Sequence, residues 1–305
     1  MANITAKDVA ALRAKTGIGM MECKKALVEA NGDVDKAVKI LREKGELKAE
    51  SKMATRIAAD GIVDVMTENG VTAIVEVNSE TDFVAKNAIF QEFVKDVLKT
   101  IIANKPADVD ALLKCEKDGM TVEAKVQELF LAIRENIKVR RFERFEGKVV
   151  SYVHAGGKIG VLVNFDTTVA GDNEALVTAG KNIAMQIAAM NPSFLDVASV
   201  SDEVIEKEKA ILIAQMKEDP KMANKPDAVL GKIVEGKIGK FYKENCLVEQ
   251  QFVMDGDLTV GKYIENVAKE LGAEIKLTKF VRFEKGEGIE KRVDDFAAEV
   301  AAMAK

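Results

Sequence analysis

Histidine is almost missing from this chain, and tryptophan is missing altogether; His154 is the one imidazole in 305 residues. A metal site built on several histidines therefore has no ligand set, and no nucleophile–base pair is signalled around His154. Proton transfer by a carboxylate or lysine is not removed by counting, but no motif favours it. The cysteines are few and odd in number: Cys23, Cys115 and Cys246 are scattered and form no CxxC pair. A disulfide framework or thiolate zinc site is thereby excluded, and the three read as reduced, small apolar packers. A basic excess is lacking too. The net charge of −5 argues against a general nucleic-acid binder, although a local basic face stays open. Long apolar runs are absent, none nearing the roughly 18 residues of a membrane span. The opening Met1–Asp8 lacks the charged-then-apolar layout of a signal peptide, so a cytoplasmic protein away from membranes is expected.

What is present suffices for several cores. Apolar residues make up 48% of the chain, so burial is not limiting at a length suited to two or three domains. Residues 1–45 read as three short helices. Thr5 with Asp8 has the form of a capping box, and Gly17 ends the first helix. The second runs from Gly19 to Gly32. Asp33 caps the third, whose Val34, Ala37, Val38 and Leu41 share a face before Gly45. Residues 46–57 suit a linker or connecting helix.

The most informative pattern is an internal repeat. GIVDVMTENGVTAIVEVN at 61–78 aligns without a gap to GKVVSYVHAGGKIGVLVN at 147–164, an offset of 86. Asn69–Gly70 marks a tight hairpin, with Val71, Ala73, Val75 and Val77 on one face, and the second copy turns at Ala155–Gly157. A helix follows each hairpin, closed by Pro106 and Pro192. The repeat resumes at an offset of 138: Thr121–Val122 matches Thr259–Val260, each opening a helix, and IKVRRFERFE at 137–146 matches IKLTKFVRFE at 275–284. The second copy thus carries an insertion. There Val204, Ile205, Ile211, Leu212 and Met216, then Leu230, Ile233, Val234, Ile238 and Phe241, repeat at helical spacing around Pro220 and Pro226. The pattern predicts an antiparallel helical hairpin. The expected fold class is α+β. Its parts are an N-terminal three-helix bundle with linker (1–56), a core subdomain (57–146), and a second core subdomain (147–284) with the hairpin inserted at about 193–245. Each subdomain has a three-stranded antiparallel sheet. A C-terminal helical module (285–305) carries Val293, Phe296, Val300 and Met303 on one stripe.

Few residues offer chemistry. Gly231–Ile238 imitates a phosphate-binding loop, but Ile238 stands where a magnesium-binding hydroxyl is needed and the surrounding spacing is helical. Gly17–Gly19 and Gly286–Gly288 lack the third glycine of a dinucleotide fingerprint and read as turns. His154 at a hairpin tip is either a solvated turn residue or a partner contact. On the second helix Met20, Cys23, Leu27 and Ala30 line one face, while Met21 points away as an adaptable contact, unless the bundle buries both methionines. In Asn78–Asn87, Phe83 has two open readings. With an early helix start it joins Phe90, Val94 and Val97 in the core; with capping by Ser79, Thr81 or Asp82 it projects from an exposed first turn.

TDFVAKN at 81–87, TGIGMMECKKAL at 16–27, EANGDVDKAV at 29–38, HAGGKIGVLV at 154–163 and RFEKGEGIEK at 282–291 resemble the motifs of the bacterial elongation factor Ts family, in order and over essentially the whole chain. The resemblance implies an N-terminal bundle like ubiquitin-associated domains, two related core subdomains, a coiled-coil insertion and a C-terminal module. It further implies a guanine-nucleotide exchange factor for the GTPase elongation factor Tu. Such a factor is a binding protein with no catalytic residues, cofactor or metal of its own and no direct contact with nucleic acid. Carried over, Thr81, Asp82, Phe83 and Val84 form a wedge that disturbs the partner's magnesium site. Arg13, Met20, Met21, Lys24, His154 and Phe296 become partner contacts. Two other classes are weighed beside this one: a nucleotide-hydrolysing enzyme using Gly231–Ile238, and an adaptor whose bundle binds ubiquitin-like folds. Pairing of two copies through the helical hairpin is left open.

Overall fold

The computed structural model describes residues 4–16, 20–53, 56–171, 173–218 and 226–290. Three helices open it: α1 (Ala6–Thr16), α2 (Met20–Glu29) and α3 (Val34–Met53). Thr5 and Asp8 exchange capping hydrogen bonds ahead of α1, and the Asp33 carboxylate accepts the Asp35 and Lys36 N–H groups at the start of α3. Gly45 does not end α3, which runs on to Met53. One interior glycine costs a helix only about 1 kcal/mol. The bundle core is Val9, Leu12, Cys23, Ala26, Leu27, Ala30, Ala37 and Leu41. Met20, expected beside Cys23 and Leu27, is instead exposed: the α2 members of the cluster begin only at Cys23, one turn further in.

The first repeat contains β1 (Asp60–Glu68), β2 (Val71–Ser79), α4 (Asp82–Ala85), α5 (Ala88–Asn104), α6 (Val109–Lys114), the short pair β3 (Glu116–Lys117) and β4 (Met120–Thr121), α7 (Val122–Ile133) and β5 (Lys138–Glu146). The second contains β6 (Lys148–His154), β7 (Ile159–Thr167), α8 (Glu174–Met190), the inserted α9 (Asp202–Glu218) and α10 (Asp227–Asn245), the pair β8 (Gln251–Phe252) and β9 (Asp255–Thr259), α11 (Val260–Leu271) and β10 (Ile275–Glu284). The sheets are antiparallel, ordered β1-β2-β5 and β6-β7-β10. The chain is therefore α+β. Asn69 and Gly70, both at positive φ, close the first hairpin in the turn that matches strand twist. Thr121 and Thr259, equivalent in the repeat, each cap their helix by accepting an N–H two residues into it.

One face of each sheet is covered by its own helices. Ala73, Val75 and Val77 pack on Phe90, Val94, Val97 and Ile101; Val161 and Val163 pack on Leu176, Ile183 and Ile187. The other faces meet in a seam of Val63, Ile74, Phe145, Leu162 and Phe283. The Val63 N–H donates to the Gly157 carbonyl at 2.8 Å across it. At its edge lies Glu76, wholly buried, accepting from Arg140 at 2.9 Å, Arg141 at 2.6 Å, Asn78 at 3.0 Å and the Gly286 N–H at 2.7 Å.

The inserted α9 and α10 pack through Ile205, Leu212, Met216, Leu230, Val234 and Ile238. Ile211, expected with them, is half exposed. Among the described residues no helix is long and apolar enough to cross a membrane. The expected C-terminal helix, with Phe296, lies outside the described residues, as do Gly17 and Pro220.

Candidate functional site

Between β2 and α5 the chain makes one isolated helical turn, α4. Asn87 is extended and caps α5, accepting the Ile89 N–H at 2.9 Å, and this break separates α4 from the longer helix. The break decides the fate of Phe83. An unbroken α5 would set Phe83 seven residues before Phe90, on the core face. With the register reset, Val84 takes the inward place and is 4% exposed, while Phe83 is 77% exposed beside the exposed Asp82. Of the two readings of Phe83, the projecting one holds.

The root of this turn is fastened elsewhere. Thr81 is the N-cap of α4, yet its hydroxyl makes no capping bond. It donates to Glu135 Oε1 at 2.7 Å, and the Thr81 backbone N–H donates to Oε2 at 2.9 Å. Ser79 Oγ donates to the Thr81 carbonyl at 2.8 Å. Glu80 pairs with Arg56 at 3.1 Å and accepts the Asn136 N–H. The neighbouring Arg134, in the left-handed region at the end of α7, reaches Glu22 of α2 at 3.2 Å. Phe130 and Leu131 of α7 join the bundle core, and Arg42 pairs with Glu128 at 2.6 Å. The end of α7 thus fastens the Phe83 turn on one side and the bundle on the other.

On α2 both methionines are solvent-facing, Met20 at 55% and Met21 at 66% exposure, which removes the reading in which the bundle buries them. Arg13 and Lys24 are exposed as well. Val28 is 56% exposed and lies seven residues, two helical turns, after Met21, extending the same apolar stripe. Sequence reasoning missed it, although that spacing was its signal. Glu135 was missed with less excuse to find it, since its partner is 54 residues away and no periodicity links them.

His154 stands apart on the second sheet, exposed at the end of β6. Its Nδ1 lies 2.8 Å from the Tyr152 hydroxyl, two residues back on the same strand face. Among the described residues, no hydrogen bond or ion pair joins His154 to the Thr81–Val84 turn. Gly231–Ile238 lies within the helix α10, whose backbone amides are taken up along the helix and cannot cradle phosphate. Gly286 and Gly288 are turn residues at positive φ.

A family model described as Elongation factor TS matches residues 80–287, starting immediately before the Thr81–Val84 turn. Elongation factor Ts of Syntrophotalea carbinolica is 50% identical over 307 residues, covering 99% of both chains. The chain belongs to the elongation factor Ts family. Elongation factor Ts of Clostridium kluyveri is 47% identical over 305 residues, covering 97% of both chains, and that of Clostridioides difficile is 46% identical over 310 residues, covering 100% of both. Residues before 80, with the bundle and the exposed α2 methionines, lie outside the family model but inside these full-length family likenesses.

Proposed function

We propose that this elongation factor Ts family member is a guanine-nucleotide exchange factor for the translational GTPase elongation factor Tu. It acts by binding and has no reaction centre of its own. The single observation carrying this reading is Phe83, an aromatic ring held almost fully outside its own core beside the Asp82 carboxylate. A large apolar side chain left in water on a fastened turn is suited to enter another molecule. In the partner, Phe83 acts as the apolar point and Asp82 brings negative charge toward the magnesium site, with Thr81 and Val84 holding the turn's base. GDP then leaves and GTP can enter.

The magnitudes demand a wide interface. Weakening nucleotide binding by about 10⁴-fold requires roughly 5.5 kcal/mol of differential binding. One buried Phe contributes about 1.5–3 kcal/mol. The remainder comes from elsewhere: from Arg13, Met20, Met21 and Lys24 on the bundle, from His154 on the second sheet and from Phe296 beyond the described residues. On this reading the bundle (1–56), the two repeats and the terminal module (285–305) are separate grips on one partner, while the inserted hairpin is free to pair two copies of the chain.

The test is stopped-flow release of fluorescent GDP from elongation factor Tu, with and without this chain. Substoichiometric chain is expected to accelerate release many-fold while retaining no nucleotide itself in equilibrium dialysis. Unaltered release, or nucleotide retained by the isolated chain, would sink the reading.

A further inference from the structure

The exposed Phe83 stands on a turn whose leading residue, Thr81, is gripped by one carboxylate. Both Glu135 oxygens are engaged by one residue, Oε1 by the Thr81 hydroxyl at 2.7 Å and Oε2 by the Thr81 N–H at 2.9 Å. Hydrogen bonds to an ionised acceptor are about twice as strong as neutral ones. Two together fix the direction of the peptide that enters α4. The hydroxyl is thereby withdrawn from capping α4, so the entry to this turn is held by Glu135, with Ser79 on the Thr81 carbonyl, rather than by a cap of its own. Glu135 stands between Arg134, which holds Glu22 of α2, and Asn136, whose N–H donates to Glu80. Three successive residues after α7 therefore tie both the Phe83 turn and the methionine-bearing helix.

We propose that Glu135 is a positioning residue for nucleotide exchange, holding Thr81 so that Asp82 and Phe83 enter the partner already oriented. This rests on the exchange reading above. A turn that had to be ordered during entry would lose its effect in the transition for release, while contacts elsewhere would still bind.

The experiment is stopped-flow GDP release at increasing concentrations of the full-length chain, which separates saturating rate from half-saturating concentration. Glu135→Ala is expected to lower the saturating rate on the order of 10-fold, the worth of a lost charge-assisted hydrogen bond, with half-saturation within about twofold of wild type on the same reasoning. Glu135→Gln keeps one acceptor for Thr81 and should fall between the two. In a Phe83→Ala background, Glu135→Ala should cost clearly less than in the wild type, because one of the two groups it positions is gone. An unchanged saturating rate in Glu135→Ala, or an equal further loss in the Phe83→Ala background, overturns the proposal. Should Glu135→Ala fail to fold, Thr81→Val removes only the hydroxyl; a lowered saturating rate supports the proposal and an unchanged one overturns it. Wild-type release by Phe83→Ala would defeat the wedge reading itself, whereas slow release by Phe83→Ala with normal release by Glu135→Ala defeats only the positioning role.

Discussion

Phe83 and Val84 are adjacent in one helical turn and face opposite media, the ring 77% exposed and the valine sealed against Phe90 and Val94. Their substitutions should therefore separate function from stability. Phe83→Ala is expected to leave thermal unfolding unchanged and to slow GDP release strongly while binding largely persists. Val84→Ala removes two buried methyl groups and should cost about 2 kcal/mol in urea unfolding. A Phe83→Ala protein as destabilised as Val84→Ala would place the ring in the core after all.

The α2 methionines allow a parallel contrast. Met20→Ala with Met21→Ala is expected to weaken partner affinity roughly 10-fold, as for truncation of moderate interface anchors. Far-ultraviolet circular dichroism and melting temperature should stay unchanged. Leu27→Ala, at a fully buried position, should instead cost about 2–5 kcal/mol. Isothermal titration against the nucleotide-free GTPase reads the first effect, and melting reads the second.

Glu76 gives the seam a defined response to acid. Burial is the largest single influence and opposes ionisation, but the Gly286 N–H, Asn78, Arg140 and Arg141 together hold the carboxyl below its ordinary 4.5. With the folded value depressed, the unfolded chain takes up the proton first as pH falls. Stability from Glu76 is thus fully present above about 4.5 and is lost as pH drops through the lower folded value. Asp64 works oppositely: burial raises its carboxyl above 3.8, against the Val65 N–H and Lys95, so its ionisation costs stability as pH rises from there. Glu76→Gln should lose about 3 kcal/mol at neutral pH and show a flatter decline in acid than wild type. Urea titrations across the acid range check both the size and the slope.

Gly157 and Gly160 set how closely the sheets approach. A Cβ on Gly157 would lie 2.1 Å from Ile62 Cγ1 at a backbone φ of +94°, and one on Gly160 would lie 2.5 Å from Val63 Cγ1. Gly157→Ala is accordingly expected to destabilise the fold by about 1–3 kcal/mol through strain and overpacking. Gly156→Ala, one residue earlier with open space around it, meets no such clash and should lose less. Paired unfolding curves decide it.

Much of this architecture was legible because the chain states it twice. Asn69–Gly70, the alternation around Val75 and the matched Thr121 and Thr259 caps each name a local conformation through local chemistry. The inserted helices were legible from their spacing, apart from Ile211. The failures were of a different kind. Gly45 was given more power to stop a helix than its small intrinsic cost supports. Met20 had the right angular position but lay one turn beyond the reach of the bundle core. For the candidate site, the sequence marked the Thr81–Val84 turn and left Phe83 undecided between core and solvent; the register break at Asn87 settled it. Glu135 with Thr81, and Glu76 with Gly286, join residues 54 and 210 positions apart, which no local pattern encodes.

At the offset that relates the two repeats, Glu76 corresponds to Leu162, and both are fully buried. The second repeat has Thr278 and Lys279 where the first has Arg140 and Arg141, so the arginines that hold Glu76 are confined to the same half as the carboxylate. Only the Gly286 N–H, just past β10, reaches it from the other side. One backbone pattern thus carries hydrocarbon in one half and a neutralised ion cluster in the other, and the ion cluster is completed only when the far end of the second half is in place.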